Sequence, residues 1–341
     1  MPTLISLISD QTLPNVLFIK ELQGQVDDYV FISTPAMQQR EKAADVVAAS
    51  GLPSGQCREV VIPDENDLQA MEDFLQEQFP DPDSCLVNLT CGNKLMFLAC
   101  FNHFSKPGNT ICYIPIGKNT VAELYPAQGK KAIGYRFSVR EYLQAYGISY
   151  EPGKTDDFKE RKFLGRILKE YKTSDYDPEK VAGMRNNEHK QFFTGTWFEQ
   201  WAYYLLKDKY KLPDTHIECG IEINNFPQPD PNLNDNELDV VFTYNNELYV
   251  AEAKVGIGKG KINKLHLDQI LFKLSALNKN FGLRSHAWIV TLADMSRETP
   301  KFFTGLERKM RILGIEGIAD RQQILAGTGG LFMPDSKKTQ A

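Results

Sequence analysis

The sequence has no long apolar run, no closely paired cysteines, no metal-spaced histidines and no surplus of positive charge, and each absence removes a class of protein. Its longest apolar stretch, Leu95 to Phe101, falls far short of the roughly 20 residues that a membrane-spanning helix needs. No basic leader precedes the first apolar residues, so the expectation is a soluble, cytoplasmic protein with no membrane contact. The six cysteines, at 57, 85, 91, 100, 112 and 219, form no C-x-x-C pair, which argues against a zinc knuckle or a disulfide-stapled secreted fold. They read as reduced, mostly buried thiols. The five histidines, at 103, 189, 216, 266 and 286, show no ligand spacing. There is no internal repeat, no G-x-S-x-G elbow and no Ser-His-Asp arrangement.

What is present describes a folded chain of two parts. Its 341 residues are 42% apolar and 24% charged, with 20 Phe and 14 Tyr, a globular composition at a length that favours two domains. The net charge is -5, but residues 1–150 hold 11 basic and 17 acidic side chains while the remainder holds 28 and 27. A polyanion contact therefore belongs to the second half.

In the first half, candidate strands at Thr3–Ile8, Tyr29–Ser33, Arg58–Ile62, Cys85–Leu89 and Thr110–Ile114 alternate with helical patterns near 14–22, 35–50, 66–78 and 93–104. That alternation predicts a Rossmann-like α/β domain with a parallel sheet, whose ligands sit beyond the carboxyl ends of the strands. A charged stretch, 146–190, reads as a helical connector. Beyond it the order changes to a helix at Thr196–Lys207, strands at His216–Ile223, Leu238–Tyr244 and Glu247–Ala253, a helix at Leu265–Asn280 and a strand at Ala287–Leu292. The tail, 331–341, reads as disordered.

The most informative stretch is Glu237-Leu-Asp239-Val-Val, followed by Glu252-Ala-Lys254 on the other side of a hairpin at Tyr244–Glu247. Side chains alternate across a strand, so Glu252 and Lys254 share a face, and strand pairing brings Asp239 beside them. Two carboxylates converging on an apolar sheet repel unless a cation lies between them, and oxygen donors favour a hard ion such as Mg²⁺ or Mn²⁺. A lysine beside them can orient water and offset the charge of a phosphorane. The runs Val240-Val241-Phe242 and Leu248 to Ala251 bury these strands, which separates the cluster from a solvated surface ion pair. Glu237 shares the face of Asp239, as an outer partner or a solvated strand start. Gly256 to Lys264 forms a basic loop whose Lys259, Lys261 and Lys264 could follow a phosphate backbone. On the second helix Gln269 and Lys273 stand one turn apart.

The pattern resembles the PD-(D/E)xK nuclease superfamily, built on the same order of helix, three-strand meander, helix and strand. The resemblance covers about the last 150 residues. It implies a metal-dependent endonuclease with Asp239, Glu252 and Lys254 as its catalytic signature. Glu199, on the first helix in Trp-Phe-Glu199-Gln-Trp, would be the fourth catalytic residue and would join Asp239 and Glu252 as a metal ligand.

In the first half, Asn88-Leu-Thr90-Cys91-Gly92-Asn93-Lys94 links the fourth strand to a helix, where backbone N–H groups, the Thr90 hydroxyl and Lys94 can hold an anion. It is not a Walker A loop, because the required upstream glycine is missing. Ser9-Asp10-Gln11-Thr12, with Asn15, follows the first strand and Ser33-Thr34 follows the second, so these turns gather over one sheet edge. Gly117-Lys118-Asn119 follows the fifth strand as a further turn. The arrangement resembles the CARF domain, a CRISPR-associated Rossmann-like sensor of cyclic oligoadenylates, with Cys91 where a second glycine is common.

The two resemblances together are those of an ancillary nuclease of type III CRISPR systems. They imply a sensor at 1–145, the connector at 146–190 and a nuclease at 191–330. They further imply a homodimer, cyclic tetra-adenylate as allosteric activator and Mn²⁺ or Mg²⁺ as cofactor. Ser9, Asp10, Gln11, Thr12, Asn15, Ser33, Thr34, Thr90, Cys91, Gly92, Asn93 and Lys94 would line the activator site. The substrate would be single-stranded or nicked DNA, RNA or both. The alternatives are a sensing module with a non-cleaving nuclease fold and a constitutive repair or restriction-type nuclease.

Overall fold

The computed structural model describes residues 2–127, 129–153, 155, 158–173, 191–224, 236–257, 262–296 and 298–326. The tail at 331–341, residues 174–190 of the expected connector, and Lys259 and Lys261 of the basic loop lie outside the described residues. The chain divides into two units, residues 1–149 with 282–284 and residues 150–281 with 285–341.

The first unit runs β1 (Thr3–Leu7), α1 (Leu13–Glu21), β2 (Asp28–Ser33), α2 (Pro35–Gln39), α3 (Lys42–Ser50), β3 (Cys57–Val61), α4 (Leu68–Gln78), β4 (Cys85–Asn88), α5 (Lys94–Phe104), β5 (Thr110–Tyr113), β6 (Thr120–Tyr125), β7 (Gly129–Ala132) and α6 (Val139–Gln144). Its sheet order is β3-β2-β1-β4-β5-β6-β7. The strands from β3 to β5 are parallel, and β1 and β2 are almost wholly buried, as a sheet covered on both faces requires. The five expected parallel strands are all present. Two antiparallel strands, β6 and β7, extend the edge beyond β5. They escape a reading based on apolar runs because β6 is only partly buried and β7, Gly-Lys-Lys-Ala, is exposed. The helix expected over 35–50 is interrupted at Glu41, whose φ of 54° lies in the left-handed region.

The second unit carries β8 (Ser149–Glu151), α7 (Arg161–Thr173), α8 (Trp197–Tyr210), β9 (Ile217–Asn224), β10 (Asn236–Tyr244), β11 (Glu247–Lys254), α9 (Lys264–Asn278), β12 (Ser285–Thr291), α10 (Pro300–Leu313), β13 (Ile315–Ala319) and α11 (Arg321–Ala326). The sheet order is β13-β12-β11-β10-β9-β8. Asn245 and Asn246, both at positive φ, make the two-residue turn that suits a twisted hairpin, and it fixes the β10–β11 register from Tyr244↔Glu247 to Val240↔Ala251. The core joins Trp197 and Phe198 of α8 to Phe242 and Tyr249, whose rings stack at 4.8 Å across that hairpin. Leu164 and Ile167 of α7 belong to the same core.

Gly153 has no room for a side chain. An added Cβ would lie 1.7 Å from the Cys219 carbonyl oxygen on β9, a backbone atom that cannot step aside. Gly153→Ala is expected to destabilise the second unit by about 3 kcal/mol or more, read in a thermal melt as a Tm lower by about 5–10 °C.

Candidate active site

The hairpin register brings the acidic cluster together. The ladder ends at Val240↔Ala251, so Asp239 and Glu252 are the residues next beyond its last pair. Both are almost fully buried, Asp239 at 5% and Glu252 at 2% exposure. Lys254 Nζ stands between them, 2.7 Å from Asp239 Oδ2 and 2.8 Å from Glu252 Oε1. Asp239 Oδ2 also accepts the Ala253 backbone N–H at 2.8 Å. Three of the four expected catalytic residues thus share one ion-paired cluster.

Its electrostatics follow from crowding. Burial, and then the Glu252 charge, push the Asp239 carboxyl above its ordinary range. Glu199, in the first turn of α8, is raised by burial and by Asp239 in turn, so it shares the cluster's field. Burial alone would loosen the Lys254 proton, but Asp239 and Glu252 outweigh it and hold the ammonium charged.

Lys273 of α9, marked in the sequence only by its place beyond Gln269, brings its amine to 3.8 Å of Glu252 Oε1. Glu237, His266 and Gln269 are exposed.

Among the described residues, no group of three His, Cys, Asp or Glu is drawn close enough to hold a metal ion; Lys254 fills the space between two of the carboxylates. The donor set nevertheless suits a hard cation. The hydrogen bonds to Asp239 fall on Oδ2 and the lysine contacts with Glu252 on Oε1. Each buried carboxylate therefore keeps a second oxygen for an ion, and a divalent charge would relieve the repulsion that raises Asp239 and Glu199.

In the first unit the turns after β1 and β4 are joined by a buried polar ladder. Asn15 Nδ2 donates to the Leu7 carbonyl at 2.8 Å, and Asn88 Nδ2 donates to Asn15 Oδ1 at 2.9 Å. Asn88 Oδ1 accepts the Thr90 N–H and hydroxyl at 3.2 and 2.5 Å, and Thr90 Oγ1 accepts the Ile114 N–H at 2.9 Å. Cys91 is buried, with its thiol pushed up to about 12 by burial, and its Sγ lies 3.0 Å from the Gln11 carbonyl. Gly92, at φ 81°, leaves an added Cβ only 3.0 Å from Leu7 Cδ1. Asn93 caps α5 by accepting the Met96 N–H at 2.9 Å.

The twelve residues expected to line this edge fall into two groups. Thr12, Asn15, Ser33, Thr34 and Cys91 are buried and spend their polar atoms inside: Thr12 donates to the Ala145 carbonyl, Ser33 to Glu59 at 2.5 Å, and Thr34 caps α2. Ser9, Asp10, Gln11, Thr90, Gly92, Asn93 and Lys94 remain partly or fully exposed. Asp10 is paired with Arg40. Lys94, the first residue of α5, is exposed above the turn.

No helix among the described residues is long and apolar enough to cross a membrane. The family model of the Card1 CARF domain matches residues 3–142, and that of the Card1-like endonuclease domain matches residues 186–328. Among curated proteins no sequence matches the chain. Among solved structures, Can2 from Sulfobacillus thermosulfidooxidans, determined in complex with cyclic tetra-adenylate, aligns with a TM-score of 0.69 at 22% identity, over 96% of this chain and 99% of that one. Protein VC1899 from Vibrio cholerae aligns with a TM-score of 0.71 at 16% identity, over 95% of each chain. A type III CRISPR defence DNA nuclease activated by cyclic oligoadenylate aligns with a TM-score of 0.59 at 16% identity, over 86% of this chain and 46% of that one. At these identities the likeness is one of fold.

Proposed function

Because residues 3–142 belong to the Card1 CARF family and residues 186–328 to the Card1-like endonuclease family, we propose that the protein is a cyclic oligoadenylate-activated nuclease of type III CRISPR defence. Cyclic tetra-adenylate is the activator, a homodimer the working form, and single-stranded or nicked nucleic acid the substrate. The observation that carries the catalytic half is the pair of buried carboxylates, Asp239 and Glu252, bridged by Lys254 at 2.7 and 2.8 Å.

Asp239 and Glu252, with Glu199, would hold a Mg²⁺ or Mn²⁺ ion, which when bound polarises the phosphoryl oxygen. The rest of the chemistry belongs to the chain. Lys254 keeps its proton and so acts as a hydrogen-bond donor and fixed positive charge, not as a base. It can align the attacking water and stabilise the negative charge that grows on the phosphorane oxygens. Asp239 fixes that ammonium in place, and the Ala253 N–H fixes Asp239, so the donor is oriented before substrate arrives. Lys273, 43% exposed and only loosely paired, is placed to meet substrate phosphate.

On the sensor side, the buried ladder sets the loop shape and the exposed residues above it make the contacts. Lys94→Ala is expected to weaken binding of cyclic tetra-adenylate about tenfold or more, the loss of one charge-assisted contact, measured by titration calorimetry, with Tm unchanged because the side chain is exposed.

The test of the whole reading is cleavage of labelled single-stranded DNA and RNA in Mn²⁺, with and without cyclic tetra-adenylate, by the wild type and Glu252→Ala. Cutting that needs the messenger and vanishes in the variant supports both halves. Messenger-independent cutting lost in the variant removes the sensor, and messenger binding without any cutting removes the nuclease.

A further inference from the structure

The sheet edge that bears Glu252 and Lys254 carries a second feature, two strands away, that the catalytic cluster does not use. The parallel registers Ala253↔Val290 and Val290↔Ala319 place Asp320, the residue after β13, at that same carboxyl edge. Strands lie about 4.8 Å apart, so β13 runs about 10 Å from β11. Asp320 lines a cavity of about 400 Å³, open to solvent on one side, formed with α10 and the start of α11, with Glu307, Gln322 and Gln323 exposed at its rim.

The lining divides by chemistry. Phe303, Met295 and Met310 offer aromatic and polarisable apolar surface, while Glu307, Asp320 and Gln322 offer polar atoms. Asp320 Oδ1 accepts the Gln323 N–H at 3.1 Å as a helix cap, and Oδ2 is left over. Two carboxylates exclude a phosphate from the cavity but suit the amino group of an aromatic ring. Outside it, α10 carries Lys301, Arg308, Lys309 and Arg311, of which Lys309 pairs with Asp268 at 2.6 Å. The surroundings therefore favour a polyanionic backbone while the interior favours an uncharged, amino-bearing ring, a combination found in a nucleotide strand with one base turned out.

We propose that this cavity receives a substrate nucleobase one or two nucleotides from the scissile phosphate, and that Glu307 and Asp320 select bases with an exocyclic amino group over thymine or uracil. The proposal rests on the nuclease reading of the neighbouring cluster. Phe303 stacks on the base, Glu307 and Asp320 accept its amino hydrogens, and the basic face of α10 follows the backbone.

The experiment maps cut sites on single-stranded DNA and RNA of random sequence, with Mn²⁺ and cyclic tetra-adenylate, for the full-length wild type and for Glu307→Gln combined with Asp320→Asn. Both replacements keep size, and asparagine keeps the cap on α11. The wild type should disfavour thymine or uracil about fivefold or more at one fixed position near the cut, in line with the discrimination of a good polar base contact. The double variant should bring that ratio below about twofold with cleavage at thymine or uracil sites little changed. A wild type without such a position, or a variant that keeps the preference, overturns the proposal. If the wild type cuts nothing, the active-site reading fails and the cavity is judged by binding alone, with single-stranded DNA carrying 2-aminopurine. Quenching by the wild type that is lost in Phe303→Leu upholds the proposal, and absence of quenching by the wild type overturns it.

Discussion

Replacing Lys254 with methionine is expected to lower messenger-activated cleavage by about a hundredfold to a thousandfold, the cost of removing one preorganised donor from a developing oxyanion, measured as initial rates on a labelled oligonucleotide. The same change should destabilise the metal-free protein. Asp239 and Glu252 would be left buried with their bridging charge gone, and breaking a buried pair in this way costs about 3–5 kcal/mol, which lowers Tm by about 10 °C. Lys254→Arg separates the two effects. Arginine restores positive charge and with it much of the Tm, whereas its broad planar fork does not reproduce a compact ammonium held between two carboxylates, so the rate stays low. A rate within threefold of wild type in Lys254→Met would remove the lysine from the chemistry.

Alkaline pH should weaken the second unit through one histidine. His286, in β12, lies between Glu247 at the start of β11 and Glu316 in β13: Nδ1 is 3.1 Å from Glu316 Oε1, and Nε2 is 3.4 Å from Glu247 Oε2 in an ion-pair contact that misses hydrogen-bond geometry. Its ring stacks on Tyr249 at 4.8 Å. Burial opposes the charged imidazole, but the two glutamates prevail and raise it from the ordinary 6.5 to about 9. A group held above its unfolded value contributes stability that is fully present below pH 6.5 and is lost as pH rises through 9. The contribution is at most about 3 kcal/mol, reduced by the half-exposed Glu316. Denaturant unfolding from pH 6 to pH 10 should therefore show a fall that His286→Gln flattens. Parallel wild-type and variant curves would exclude the clamp.

The sheet strands were legible in the sequence wherever burial was two-sided or alternating. β1 to β5 stand out as apolar runs, and β10 and β11 as a buried hairpin closed by Asn245-Asn246. β6 and β7 were not, since a half-solvated edge strand and Gly-Lys-Lys-Ala present no apolar period. The Asp239, Glu252 and Lys254 cluster was legible because all three lie on one hairpin, where register alone decides proximity. The sensor edge resisted the same treatment. Asn15, Ser33 and Thr34 are the same kinds of turn residue as Ser9 and Thr90, and only packing against Leu7, Glu59 and α2 turns the first three inward.

The ladder from Leu7 through Asn15 and Asn88 to Thr90 and Ile114 also bears on redesign. Asn15, Asn88 and Thr90 each give and take hydrogen bonds between the Leu7 carbonyl and the Ile114 N–H, so a substitution at any of the three leaves an orphaned donor or acceptor and loosens the turns after β1, β4 and β5 together. An attempt to retune the protein to a different nucleotide ring is better spent on Asp10 and Lys94, both exposed, than on Gln11, whose Oε1 accepts the Leu283 N–H at 3.1 Å and the Tyr146 hydroxyl at 3.3 Å. At the two exposed positions libraries can vary shape and charge while the scaffold beneath keeps its form.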